Sequence, residues 1–293
     1  MGRLLRTANY QGSLLSLPRR APGFSPISTT SRPLVLADPD YGPAPQGTTA
    51  WRPLPASRRE GEVIHELLNA TYYQQAEATT GRLTAARGPR VLHVASHGYY
   101  AGAPSQPVPA PAVPLAADGW SRSAFAGLPA ARDDAMLNSA IVLAGANRHL
   151  RPDAKPPGPS ALPAPGSADD DGYLTAKEAA QLQLAGTELV VLSACETAAG
   201  EQRSGEGLYG LQRALNVAGA HSTLLSLWKV DNDATAYFME RYYRLLKQGK
   251  GRMEALLAVQ QEFRTKPLLP AWEDFRYWAA WQLVGETGPV EGL

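Results

Sequence analysis

Two short stretches carry the residues able to do chemistry. RVLHVASHG (90–98) ends in His97-Gly98, and LVVLSAC (189–195) ends in Cys195, the single cysteine of a 293-residue chain. A thiol attacks as its thiolate, and a nearby imidazole takes the proton and later returns it to a leaving group. Both stretches are apolar runs that pass through small residues before reaching the reactive side chain. Such runs read as strands covered on both faces. As parallel neighbours they would bring His97 and Cys195 out at one sheet edge, where open α/β sheets bind ligands. Gly98 would let backbone approach a substrate carbonyl closely. Its N–H, with that of Cys195, would form an oxyanion hole.

Other chemistries compete for the same residues. A lone cysteine also serves as a small buried hydrophobe, and a lone histidine as a satisfied core or surface side chain. His93, His97 and Cys195 are all zinc-ligand types. Residues four apart on a strand lie about 13 Å apart, too far to share an ion bonded at about 2.0–2.3 Å. His93 is therefore expected in the core, and no metal or other cofactor is expected. GEGLYG (205–210) satisfies G-x-G-x-x-G through Gly205, Gly207 and Gly210, with Asp231 further on. That pattern needs its glycines directly after a strand, and here about ten residues intervene. Glu206 would also set a carboxylate beside a pyrophosphate, so nucleotide binding is kept only as a minor alternative. No G-x-S-x-G elbow of a serine hydrolase is present.

Two further positions bear on substrate. Asp231 and Asp233 follow SLWKV. A carboxylate facing the crevice there would favour a basic side chain, and an Asp at a helix start equally reads as an N-cap. Trp228 reads either as a pocket wall or as a core residue.

The elements that must position these groups alternate. PLVLAD (33–38), PRVLHVAS (89–96), NSAIVLAG (138–145), the cysteine run and HSTLLSLW (221–228) predict strands, and FRYWAAWQLVG (275–285) predicts a closing aromatic strand. SRREGEVIHELLNA (57–70), GEGLYGLQRALNVAG, DNDATAYFMERYYRLLKQG (231–249) and RMEALLAVQQEFR (252–264) carry apolar residues at helical spacing. TAKEAAQL (175–182) opens with Thr-x-x-Glu, a capping box. Strand–helix alternation predicts an α/β fold with a mostly parallel sheet and helices on both faces. Residues 1–32 read as a loosely ordered lead-in. The Pro/Ala-rich stretches 103–117 and 151–171 read as insertions in a domain spanning 33–286, and 287–293 as a tail.

Composition narrows the partners. A formal net charge of +1 gives no general affinity for nucleic acid or anionic membrane. One cysteine excludes an intramolecular disulfide and argues against a secreted, stapled design. No apolar run approaches the roughly 20 residues of a membrane span, and LLSL near the N-terminus is too short for a signal peptide. A soluble, cytoplasmic protein is expected. The Ala, Pro and Arg bias is similar to that of proteins from GC-rich genomes.

His-Gly after one apolar strand and Ala-Cys after another resemble the caspase-like cysteine peptidases, including separases and clostripain-like enzymes. More narrowly, the chain resembles the CHAT domain, a bacterial and eukaryotic branch of that group. The resemblance is carried by LADPDYG, LPASRREGEVIHELL, RVLHVASHG, LNSAIVLAGAN, YWAAWQLVG and the long block DGYLTAKEAAQLQLAGTELVVLSACETAAGEQRSGEGLYGLQRALNVAGAHSTLLSLWKVDNDATAYFMERYY. ACETAAG departs from the group in having Ala198 where Gly is common. The resemblance implies a caspase–haemoglobinase-like fold with a His97/Cys195 dyad. His97 would act as base and then as acid. Cys195 would form a thioester that water clears, with no third orienting residue required. It implies that LLSLW lines the substrate cleft, which supports a pocket role for Trp228 and, more weakly, for Asp231. It further implies a specific intracellular protein substrate and a regulatory partner such as a tetratricopeptide-repeat or sensor module. A catalytically silent module that binds a peptide in the same cleft is the alternative.

Overall fold

Val91–Val94 and Leu189–Leu192 are almost uninterruptedly apolar because helices cover both faces of the strands they form. The computed structural model describes residues 31–48, 50–100, 139–150, 170–196, 206–228 and 230–293. The expected lead-in up to residue 30, the 103–117 insertion and most of the 151–171 insertion lie outside the described residues. The strands are β1 (Leu34–Pro39), β2 (Thr71–Gln75), β3 (Val91–Tyr100), β4 (Ser139–Val142), β5 (Tyr173–Thr175), β6 (Leu189–Glu196), β7 (Ser222–Ser226) and β8 (Trp281–Gly285). The helices are α1 (Pro55–Leu68), α2 (Thr80–Ala85), α3 (Ala176–Ala179), α4 (Glu206–Val217), α5 (Asn232–Lys247) and α6 (Arg252–Thr265).

The main path across the sheet runs β2-β1-β3-β6-β7-β8. β2, β1, β3, β6 and β7 are mutually parallel, and β8 closes the far edge antiparallel to β7. β4 and β5 form an antiparallel extension that grows from the carboxyl half of β3. This is the α/β, mostly parallel sheet expected of the sequence. On one face α1, α5 and α6 bury Ile64, Phe238, Tyr242, Tyr243, Leu256 and Phe263 against Val35, Val91, Val191 and Leu224. On the other face α2, α3 and α4 bury Leu83, Ala179, Leu211 and Leu215 against Leu36, Leu92, Val190 and Leu225. Period-two alternation along each strand splits the two cores.

Local departures from expectation have local causes. The aromatic run from residue 275 is a strand only over Trp281–Gly285. Phe275–Tyr277 is a 3₁₀ turn, because Asp274 Oδ1 accepts the Arg276 N–H that a ladder would need. The helix expected from TAKEAAQL has the predicted capping box between Thr175 and Glu178 but is a single turn, Ala176–Ala179. β3 continues past Ser96 to Tyr100, so His97 and Gly98 belong to the strand rather than following it. β2 and β5 are too short or too polar to stand out in sequence. Within 287–293, Val290 is buried, Glu291 N–H donates to Glu188 Oε2, and Arg90 donates to the Gly292 carbonyl.

Candidate active site

The site begins with strand register. β3 and β6 pair in parallel from Val91↔Leu189 onward, and the ladder reaches His97↔Cys195 and Gly98↔Glu196. The two candidate residues therefore stand side by side at the carboxyl ends of the two central strands. β1 borders β3 only as far as Ala95, and from His97 onward β4 takes over that border. Ser96 sits at the changeover. Its hydroxyl donates to the Val142 carbonyl and lies 3.0 Å from Tyr41 Oη. Strand order reverses between β1 and β3, and open α/β sheets bind ligands at the carboxyl edge beside such a reversal.

His97 is 8% exposed, and its ring is walled on two sides. Tyr41 and Trp51 each lie 5.2 Å from it, centroid to centroid. Nε2 lies 2.8 Å from the carbonyl oxygen of Arg52. A carbonyl only accepts, so Nε2 carries the proton and Nδ1 of the neutral ring is the basic nitrogen. Trp51 is itself fixed: Nε1 donates to Tyr173 Oη at 2.9 Å, and its ring meets Tyr99 edge-on at 6.2 Å. Burial raises the Tyr41 and Tyr99 phenols above their ordinary range and pushes Tyr173 up to about 12. These three phenols are thus uncharged at physiological pH. Asp38, near the end of β1, is buried; Arg58 Nε donates to its Oδ2 at 2.6 Å, and the Gln75 amide donates to the same oxygen.

The other sequence candidates have surroundings of their own. His93, one strand turn deeper, is fully buried. Its Nδ1 is 3.2 Å from Tyr243 Oη, and its Nε2 is 3.1 Å from Glu60 Oε1 without hydrogen-bond alignment. Among the described residues no cluster of His, Cys, Asp and Glu could hold a metal ion. Gly98 has strand neighbours on both sides, Ile141 and Glu196. Trp228 follows the carboxyl end of β7; its Nε1 donates to the Arg276 carbonyl and its ring meets Phe275 edge-on at 6.4 Å. Asp231 is the N-cap of α5, with Oδ1 accepting from the N–H groups of Asp233 and Ala234. Gly207 and Gly210 lie within α4, which starts at Glu206, and Gly205 lies outside the described residues. β6 is described as far as Glu196 and α4 from Glu206, and residues 197–205 between them lie outside the described residues.

Residues 7–286 match the family model described as the CHAT domain. The chain belongs to the CHAT domain family. This CHAT chain is 26% identical over 276 residues to human (Homo sapiens) "Tetratricopeptide repeat protein 28", aligning 92% of itself with 10% of that protein. It thus spans about a tenth of that relative's length. Among solved structures it is similar to the Arg specific cysteine proteinase gingipain R (RGPB), with a TM-score of 0.38 and 9% identity over 87% of this chain and 46% of that one. Among the described residues of the CHAT chain, no helix is long and apolar enough to cross a membrane.

Sequence reasoning did not single out Trp51, the Arg52 carbonyl or Asn147. A backbone carbonyl leaves no mark in a sequence, since any residue provides one. Tyr41 and Asn147 lie inside LADPDYG and LNSAIVLAGAN, blocks that carry the family resemblance, and only their spatial meeting with Trp51 reveals what they do.

Proposed function

We propose that this CHAT domain is a cysteine endopeptidase working through His97 and Cys195. The observation that supports this most directly is the register pair His97↔Cys195 at the carboxyl edge of two parallel strands. The Arg52 carbonyl adds to it, by leaving Nδ1 of His97 as the base. In this reading the Cys195 proton passes to Nδ1, and the thiolate attacks the scissile carbonyl carbon. The C–N bond then breaks as the imidazolium returns its proton to the departing amine. Water, deprotonated by the same ring, hydrolyses the thioester and restores the thiol. The Arg52 carbonyl stabilises the imidazolium as charge develops on it.

The N–H groups of Gly98 and Cys195 are the proposed oxyanion hole. Gly98 is a ladder residue in this structure, so that role requires the rim of the sheet to loosen when substrate binds. Trp228, backed by Phe275, is the proposed wall for a substrate side chain, and Oδ2 of Asp231 a second substrate contact. The substrate is a protein inside the cell, and the control comes from a partner. The tetratricopeptide-repeat name of the much longer human relative supports a repeat protein in that role.

The double pairing of Gly98 also favours a second reading, a silent module that holds a peptide in the same cleft without cutting it. One experiment separates the two. The rate of Cys195 alkylation is followed against pH in the wild type and in His97→Ala, every thiol signal coming from one residue. An inflection well below the free-thiol value of about 8.5, moving upward when His97 is removed, supports the dyad. Slow alkylation indifferent to His97 rejects an assembled dyad and leaves the binding module.

A further inference from the structure

Asn147 is 3% exposed, on the 3₁₀ turn Ala146–His149 that follows β4. A buried carboxamide is costly unless its oxygen and N–H groups are used. Here Oδ1 accepts from Trp51 N–H at 2.8 Å, and Nδ2 donates to the carbonyls of Trp51 at 3.1 Å and Gly42 at 2.9 Å. The side chain thus grips both the N–H and the C=O of Trp51, as a neighbouring strand would. Its own backbone N–H donates to the Tyr41 carbonyl at 2.8 Å.

These four bonds converge on the two segments that hold His97. One carries Tyr41, whose ring walls the imidazole on one side. The other carries Trp51, which walls it on the other, and Arg52, whose carbonyl accepts from Nε2. In none of the four bonds is His97 itself the partner. A loop has no ladder of its own to fix it, so the Trp51–Arg52 peptides depend on a side chain to take that place.

We infer that Asn147 is a positioning residue for His97: by clamping the Tyr41–Gly42 and Trp51–Arg52 segments it keeps the Arg52 carbonyl on Nε2 and the imidazole in one tautomer. The inference rests on the proposed role of His97 as the base. Packing alone predicts that loss of Asn147 lowers stability and nothing else. Positioning predicts that it also frees the ring to exchange its proton between nitrogens.

The test labels the five histidines with nitrogen-15 and reads the His97 tautomer from two-bond proton–nitrogen correlations. In the wild type a single Nε2–H form is expected. Finding Nδ1–H instead overturns the inference without any variant. In Asn147→Ala a mixture of tautomers is expected, with Cys195 alkylation at neutral pH falling about tenfold or more, because small misplacements of a catalytic group carry large rate losses. Asn147→Asp keeps the acceptor for Trp51 N–H and lacks both donors, and it covers the case in which the alanine variant does not fold. An unchanged His97 tautomer in either folded variant overturns the inference. If alkylation proves indifferent to His97→Ala, the dyad reading falls, while the His97 tautomer still decides the role of Asn147.

Discussion

Nε2 of His97 lies 2.8 Å from the carbonyl oxygen of Arg52, while the Arg52 side chain stands exposed. The group that orients the proposed base is therefore backbone, and changing the residue that owns it should do little. Arg52→Ala is expected to leave Cys195 alkylation within about twofold and stability within about 0.5 kcal/mol, as for an ordinary surface change. Trp51→Ala removes a wall of the His97 cradle and the bond to Tyr173. It should cost about 2–3 kcal/mol, less than a fully buried aromatic, and slow alkylation several-fold. Iodoacetamide kinetics beside urea titrations read both. Damage from Arg52→Ala equal to that from His97→Ala would mean that the arginine head, not the carbonyl, serves the ring.

The central strands were legible because both of their faces are buried, which forces unbroken apolar runs at 91–94 and 189–192. Their matched endings put both reactive residues at one sheet edge only if the strands are parallel neighbours, and the ladder makes them so, with His97 opposite Cys195. What escaped was whatever depends on partners far away in the chain. The Asn147 carboxamide meets Trp51 across 96 residues, and no local pattern encodes that meeting. The aromatic stretch from Phe275 was over-read as strand because β-propensity reports packing surface rather than backbone pairing. Asp274 had already taken the amide that pairing would need.

Asp231 offers a clean separation of capping from substrate contact. Its Oδ1 accepts two N–H bonds at the start of α5, so Asp231→Ala should cost about 1 kcal/mol. Asp231→Asn keeps a capping oxygen and removes the charge, and its stability should match the wild type within a few tenths of a kcal/mol. If the remaining oxygen also meets substrate, the Asn variant will select less well for peptides with a basic side chain while melting normally. Identical peptide profiles in the wild type and the Asn variant would assign the residue to the helix alone.

The neighbouring carboxylates Asp170 and Asp171 should respond to pH in opposite senses. Burial raises the Asp171 carboxyl above its usual range, against the pull of the Tyr173 N–H. A folded value above the unfolded one means that ionisation opposes folding. That penalty is complete above the folded value and fades as pH falls toward the unfolded value of about 3.9. Burial also lifts Asp170, but bonds from Thr80, Gly81 and Thr79 outweigh it and hold the carboxyl low. Its contribution is present above about 3.9 and is lost as pH falls through the lower folded value. Asp171→Asn keeps the acceptor for Tyr173 N–H, so it should stabilise at pH 7 with a gain that shrinks toward pH 4. Asp170→Asn should destabilise at pH 7 with a loss that shrinks in acid. Melting curves across that range test both signs, and parallel behaviour of the two variants would contradict the assignment.

His93 and His97 share one strand and one face, four residues apart, and differ in depth. His93 lies fully buried between Glu60 and Tyr243, tying α1 and α5 to the sheet, whereas His97 lies at the rim beside Cys195 in register. Emptying the deeper position leaves a cavity and strips two polar neighbours of their contact. His93→Ala should therefore cost about 2–4 kcal/mol while the folded protein alkylates at its normal rate. His97→Ala should cost less stability, about 1 kcal/mol for the lost bond to Arg52, and should move the pH inflection of thiol reactivity up toward the free value of about 8.5. Denaturant titration and thiol kinetics on the same two variants give a crossed pattern if chemistry belongs to the rim and packing to the depth. If both variants lose stability and keep a reactive thiol, His97 is a core residue like His93, and the cleft is left to binding.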